Sequence, residues 1–394
     1  MKTGLFTKGH SMEIPSKADI VIIGGGVMGA STAYHLAMRG AKNIVLLERD
    51  ELFGQGATGR CAGGVRYQFG TEINIRLSLA SLPMLERFKD ETGQDVNYRK
   101  CGYLFVLTQE KDVVEFQQNV SLQNRLGAKT EWLSGDEVRR HLPLMNLKDA
   151  LGGTFNQQDG LVDPNSVVMG YVSAAQRMGV KAINNAGVIG IRINGDKVTG
   201  VETAQGLIET RLVVNAAGPW SAQIGRMAGV HIPIQPIRRQ MFTTTPLPEV
   251  PSDFPFVIDF SQSLYFHREG EGLLVGMSNP DEMPGFDQNV DDDFELINLE
   301  AAIARMPLIE KAGRASHWAG LYEVTPDAHP IFGSTPVDGF LVVAGFSGHG
   351  FMHGPISGKL MAEYILDEKF SSVDVSMLNL ERFKGQLNQE YNVV

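Results

Sequence analysis

The chain predicts an α/β fold: a Rossmann-like dinucleotide-binding domain carrying an inserted α+β substrate domain that is mainly antiparallel β. Three observations predict it. An apolar strand, Ile20 to Ile23, runs straight into Gly24-Gly25-Gly26-Val27-Met28-Gly29 and a helical stretch that lasts to Gly40. A β-rich block from Ile234 to Met277, punctuated by Pro236, Pro246, Pro248, Pro251 and Pro255, carries no nucleotide signal. A late strand, Phe340 to Ala344, then leads through a second glycine-rich turn, Gly345 to Gly350, into a helix over Ile356 to Leu366, so the chain ends as α/β.

Each part of the first unit has a physical task. Gly24 permits the tight turn, Gly26 lets backbone approach a pyrophosphate, and Gly29 lets helix and strand pack closely. The helix N-terminus offers unpaired N–H donors and a partial positive charge. The next strand, Ile44 to Leu47, delivers Glu48 nineteen residues after Gly29, where ribose hydroxyls need a carboxylate acceptor. NAD and FAD both fit this unit.

Composition narrows the function classes. At 394 residues the chain is long enough for two domains, and its formal charge of −10 argues against a nucleic-acid footprint. Cys61 and Cys101 match neither zinc nor redox-pair spacing, so a reducing, cytoplasmic setting is expected. The first seventeen residues lack an apolar stretch long enough for a signal peptide and are expected to form a mobile extension. No stretch has the length of a membrane span.

Along the chain, the segment Gly54 to Gly70 is too glycine-rich for regular structure, which points to ordering by a ligand. Thr71 to Lys89 is predicted helical with a kink at Pro83; Tyr103 to Thr108 is a strand, and Asp112 to Leu126 an amphipathic helix. Ser134 opens a further helix, and Asp163-Pro164 caps another that runs to about Met178. Strands begin again at Val180, with Gly195-Asp196 as the hairpin turn between Ile189–Ile193 and Val198–Thr203. A buried strand, Arg211 to Asn215, ends in Ala216-Ala217-Gly218-Pro219-Trp220, small enough to lie against a cofactor. Asp291-Asp292-Asp293 is expected to cap the helix Phe294 to Met306 rather than to hold a metal. His349 and His353 have helical i, i+4 spacing but straddle a glycine loop without acidic companions, so no metal is expected there.

A nicotinamide dehydrogenase needs only the first nucleotide unit, whereas further small-residue junctions recur here, so a larger, two-ended cofactor accounts for them better. The helix after Gly345 to Gly350 would direct a positive dipole at a flavin ring, which gains negative charge on reduction.

These motifs resemble the FAD-dependent D-amino acid oxidase (DAO) superfamily from Ile20 to about Ile365. The stretches that carry the resemblance are Ile23 to Gly29, Thr58-Gly59-Arg60, Asn215 to Trp220, Thr325-Pro326-Asp327-Ala328-His329-Pro330 and Gly345 to Phe351. The sarcosine oxidase β-subunit branch is the most similar, with dimethylglycine and proline dehydrogenases near it. The resemblance implies an FAD-binding domain from residues 18–90, 151–233 and 326–394, and a substrate domain from 91–150 and 234–325. It implies that Glu48 and Arg49 meet the adenosine, that Thr58, Gly59, Arg60, Gly63 and Gly64 wrap the pyrophosphate and flavin, and that Val188 contacts adenine. Ala217, Gly218 and Trp220 belong to the same site, and Gly345, Gly348, His349, Gly350, Phe351 and Met352 lie along the flavin.

The implied chemistry is hydride transfer from a carbon beside an amine nitrogen to FAD, leaving an imine that water hydrolyses. The substrate would be a secondary or N-methylated amino acid, with oxygen or another redox carrier as acceptor. Arg66 matches an arginine that holds the substrate carboxylate, although a structural ion pair would suit it equally; Tyr265 matches a substrate-side tyrosine. Met352 stands where sarcosine oxidases commonly place a lysine, and Tyr322 where glycine oxidase has an arginine. Leu274 replaces the lysine that assists reaction with oxygen, which favours a dehydrogenase. Gly320 stands at the position of a flavin-linking cysteine, and Arg60 near that of a linking histidine, so FAD is expected to be non-covalent. Two other readings stay open: a 2-hydroxy acid or glycerol phosphate dehydrogenase, and a flavin-carrying member of a complex that needs partner subunits.

Overall fold

The computed structural model describes residues 13–393. Its first sheet has six strands in the order Ile331–Ser334, Phe340–Ala344, Val213–Asn215, Ile20–Ile23, Ile44–Leu47, Lys181–Ile183. All neighbours run parallel except the antiparallel edge strand Ile331–Ser334. A central parallel strand is covered on both faces, which is why Ile20–Ile23 and Ile44–Leu47 are continuous apolar runs buried at every residue. Each such side chain contributes about 1.5–3 kcal/mol of burial.

Helix Val27–Met38 is buried from Val27 to Ala37, because helices Pro164–Arg177 and Gly350–Asp367 pack against it. The last of these corrects the expectation that helix begins at Ile356: it starts at Gly350 and contains Pro355. The reason is tertiary. A Cβ on Gly354 would lie 2.4 Å from Val27, and one on Gly358 2.2 Å from the Ser31 hydroxyl, so the glycines form a helix face that only close packing explains.

The second sheet has eight strands in the order Arg314–Val324, Gln235–Thr244, Gly272–Met277, Leu264–Glu269, Phe256–Asp259, Tyr103–Leu107, Gly152–Asn156, Glu131–Ser134. It is antiparallel except where Phe256–Asp259 meets Tyr103–Leu107. Strand Gly152–Asn156 lies just past residue 150, the expected end of the first substrate-domain segment, yet pairs within this sheet. Alternation divides the sheet's faces. Leu104, Val106, Phe242, Val257, Leu264 and Phe266 bury one face, whereas Tyr103, Phe105, Met241, Ile258, Tyr265 and Leu274 build the other.

Several local expectations change in detail. The helix at Thr71 is two pieces, Glu72–Glu86 and Phe88–Thr92, joined at Arg87, whose N–H reaches the Pro83 carbonyl at 3.3 Å. Ser134 caps Gly135–His141 through a capping box, and Asp163 caps Pro164–Arg177. Asp291 accepts from Phe294 N at 3.1 Å, as a cap of Asp292–Arg305. Of the expected N-terminal extension, residues 1–12 lie outside the described residues. Ser16 and Lys17 pair with the fold through their backbone: Glu209 N donates to Ser16 O at 2.9 Å, and Lys17 forms an isolated parallel β-bridge with Glu209. Among the described residues no helix is long and apolar enough to cross a membrane.

Candidate active site

One cavity runs from the first glycine turn, and a second adjoins it beneath the eight-stranded sheet; Ala57, Cys61, Leu321, Tyr322, Gly348 and Phe351 line both. The first gathers Gly24, Gly26, Val27, Met28, Glu48, Arg49, Thr58, Val188, Ala217, Gly218, Trp220 and Gly350. The second gathers Arg60, Gly63, Gly64, Arg66, Tyr265, His349 and Met352. Residues far apart in the chain thus meet along one elongated space. Gly29, Gly59 and Gly345 do not line it; Cβ atoms there would fall 1.9 Å from Gly24 O, 2.3 Å from Gly54 O and 2.5 Å from Thr325, so these glycines shape the turns behind the wall.

At the end near the first sheet, Glu48 Oε2 accepts from Gly25 N at 2.7 Å and Oε1 from Asp50 N at 2.9 Å. Burial raises its pKa, against those two hydrogen bonds. Thr58 Oγ1 accepts from Val27 N at 3.2 Å, which ties the glycine-rich loop to the helix N-terminus. The Arg49 guanidinium sits 3.5 Å from the Trp220 ring centroid, and Trp220 in turn stacks on Phe286 at 5.8 Å.

In the middle, Glu323 was not anticipated from the sequence. Its carboxyl is buried, Oε2 has no hydrogen-bond partner, and burial pushes its pKa up to about 7 against the N–H groups of Gly345 and Phe346. An orphaned carboxyl oxygen beside a cradle of glycines suits a polar ligand with hydroxyl donors such as the sugar-like chain of FAD. Cys61 lines both cavities, and burial pushes its thiol up to about 11. Such a thiol is protonated and a poor nucleophile at neutral pH.

At the sheet end, three tyrosines face the cavity, each against a glycine. A Cβ on Gly64 would lie 1.7 Å from the Tyr103 hydroxyl, one on Gly276 2.1 Å from Tyr265, and one on Gly348 2.3 Å from Tyr322. Burial raises the pKa of all three phenols, so they are neutral near pH 7. Arg66 is buried; it donates to the carbonyls of Gln68 and Asn392 and stacks over Phe69 at 4.0 Å. Among the described residues no carboxylate lies within 4 Å of it, although Glu390 and Asp159 act on it from further away. Arg239, another unanticipated residue, lines the same wall. Gly320 also lines it, 2.9 Å from Arg60 when a Cβ is built, while Leu274 packs into the apolar cluster beside Tyr265.

His349 lines the sheet-end cavity and donates from Nε2 to Ala328 O at 3.0 Å; its Nδ1 lies 3.3 Å from His353 Nδ1. Burial brings His349 down to about 4, so the ring is neutral. Outside the cavity, Asp292, Glu295 and His317 bring ligand-type atoms within 4.8 Å of one another, but Glu295 already pairs with Arg314.

Comparison with known proteins places the chain in a family. The chain is 32% identical to mouse (Mus musculus) mitochondrial sarcosine dehydrogenase over 96% of its length, and 32% identical to rat (Rattus norvegicus) mitochondrial dimethylglycine dehydrogenase over 90%. It spans only 43% of each of those proteins. The crystal structure of L-proline dehydrogenase from P. horikoshii superposes with a TM-score of 0.88 at 31% identity, covering 95% of this chain and all of that one. Residues 19–364 match the DAO family of FAD dependent oxidoreductases, and the chain belongs to that family, with FAD as its cofactor.

Proposed function

We propose that this protein oxidises the C–N bond of a secondary or N-methylated amino acid. The observation that carries this reading is Arg66: a buried guanidinium without an ion pair, on the wall shared with the Gly348–Met352 turn. Sarcosine, dimethylglycine and proline as the substrates of the relatives named above support the same class.

When bound, FAD supplies the acceptor for the two electrons and hydrogen removed from the carbon beside nitrogen. The chain's own residues bind, orient and shield. Arg66 grips the carboxylate with paired N–H donors. Tyr265 and Tyr322, with neutral hydroxyls, border the reacting carbon and can donate to or accept from the substrate. Phe351 and Met352 add apolar wall that excludes water. Neither a phenol with raised pKa nor neutral His349 is a strong base, so the amine binds already deprotonated; the positive guanidinium groups around it disfavour an ammonium. Loss of hydride from carbon then leaves an iminium ion, which, when formed from a secondary amine, can become the imine by releasing its N–H proton to water, and which water hydrolyses.

In this reading the unit around the six-stranded sheet holds FAD and the eight-stranded sheet is the substrate lid. Attachment is non-covalent, supported by Gly320 and by the protonated Cys61. Two free thiols suit a reducing compartment. Anaerobic addition of sarcosine, N-methylated amino acids and proline to the purified flavoprotein tests the proposal. Bleaching of the flavin band by at least one is expected; a flavin that stays oxidised with all of them, yet bleaches with 2-hydroxy acids or glycerol phosphate, overturns it.

A further inference from the structure

Arg238 and Arg239 are neighbours on strand Gln235–Thr244 and, by strand alternation, point to opposite faces of the sheet. Away from the cavity, Arg238 meets Asp287 at 3.2 Å, Glu282 at 3.3 Å and Asp291 at 3.5 Å. Arg239 faces the cavity and meets no carboxylate among the described residues. It donates from Nη1 to Arg238 O at 3.0 Å, its Nε is buried without a hydrogen-bond partner, and its guanidinium carbon lies 5.3 Å from the Tyr322 ring. The fold neutralises one arginine threefold and leaves the adjacent one open.

Arg66, a second cation of the same space, has Glu390 and Asp159 acting on it from behind the wall, whereas among the described residues no carboxylate pairs with Arg239. Tyr322, whose ring lies 5.3 Å from the Arg239 guanidinium carbon, lines the same cavity as both arginines. Among the described residues lining this cavity there is no aspartate or glutamate; the charged side chains are Arg60, Arg66 and Arg239. A guanidinium cannot shed its proton, and one carboxylate fills one arginine fork. Arg239 is half-buried with its Nε shut away from solvent, so an anion in the cavity would give that fork a charge-assisted partner.

We infer that the substrate carries two acidic groups: an N-substituted amino acid whose α-carboxylate sits on Arg66 and whose second carboxylate sits on Arg239. This rests on the amine-oxidising reading above and names its substrate class. Iminodiacetate, a secondary amine flanked by two carboxymethyl groups, is the simplest member, and sarcosine is the same molecule with one carboxylate replaced by hydrogen. Arg239 is therefore a specificity-determining residue.

The test compares these two substrates and, for binding without turnover, thiodiacetate and (methylthio)acetate, in which sulfur replaces the nitrogen so that no imine can form. Isothermal titration of the holoenzyme should show thiodiacetate binding about 10- to 100-fold tighter than (methylthio)acetate, the range expected for one further charge-assisted pair. Arg239→Gln should bring the two within about threefold, with Arg239→Lys between. In anaerobic flavin bleaching the same variants should raise the half-saturating iminodiacetate concentration far more than they lower the limiting rate. Thiodiacetate binding no tighter than (methylthio)acetate, or equal losses for both in Arg239→Gln, overturns the inference. If no secondary amine bleaches the flavin, the amine reading falls, while the titration still reports on the arginine pair by itself.

Discussion

The ring of Tyr322 occupies the space that a side chain on Gly348 would need: a Cβ there would lie 2.3 Å from Tyr322 Cε2. Gly348 also holds φ at +99°, a conformation that strains any L side chain. Strand Arg314–Val324 of the eight-stranded sheet and the turn before helix Gly350–Asp367 are thereby pinned together at the junction of the two cavities.

Gly348→Ala is expected to destabilise the holoenzyme by roughly 2–4 kcal/mol, combining backbone strain with overpacking. It should also lower the flavin-to-protein absorbance ratio after purification. Pairing it with Tyr322→Ala should recover part of the loss, since the ring clash is then gone. A double-mutant cycle from urea unfolding reads this coupling, and strict additivity would disprove the contact.

Glu48→Ala removes the acceptor that fixes Gly25 N at 2.7 Å and the carboxylate aimed into the cavity. A charge-assisted bond of about 1.5–3 kcal/mol corresponds to a 10- to 100-fold weaker affinity for FAD. Flavin fluorescence released on dilution measures it. Substrate affinity of the fully loaded variant should change little, because Glu48 lies at the opposite end of the space.

Glu390 accepts from Gly70 N, Thr71 N, Thr71 Oγ1 at 2.6 Å, and Asn74 Nδ2, capping helix Glu72–Glu86 from the far end of the chain. These bonds hold its pKa below the ordinary 4.5 despite burial. Its contribution is present above about pH 4.5 and is lost as pH falls below that value. Glu390→Ala should cost about 2–4 kcal/mol at pH 7, and the difference from the parent protein in urea midpoints should shrink on acidification.

Glu323 has the opposite sign. Its folded pKa is raised to about 7, so its neutral form contributes stability below about pH 4.5 that is lost as pH rises through 7. Glu323→Gln, which keeps the shape without the charge, should stabilise flavin-free protein at pH 8 by roughly 2–3 kcal/mol relative to the parent and leave pH 4.5 nearly unchanged. Thermal scans across that range decide it, and an identical pH profile for both proteins would count against a buried, proton-linked carboxyl.

Local periodicity and glycine spacing were enough to specify the strand–turn–helix at Ile20–Met38, the acid at Glu48, the capped helices after Ser134 and Asp163, and the second glycine turn. Those signals are local: a run of apolar residues, a cap, or a turn that needs a missing Cβ is legible within a few residues. What the tertiary structure alone decided is which distant residues meet. Gly350–Asp367 is helical from its first glycine because its glycine face presses on Val27 and Ser31. Arg239 becomes a cavity-facing cation because the register of its strand turns it inward while Arg238 finds three carboxylates outside. Glu323 and Glu390 gain their character from burial and from partners across the chain. Charge, burial and reach are properties of a neighbourhood, and the neighbourhood exists only once the two sheets have folded against each other.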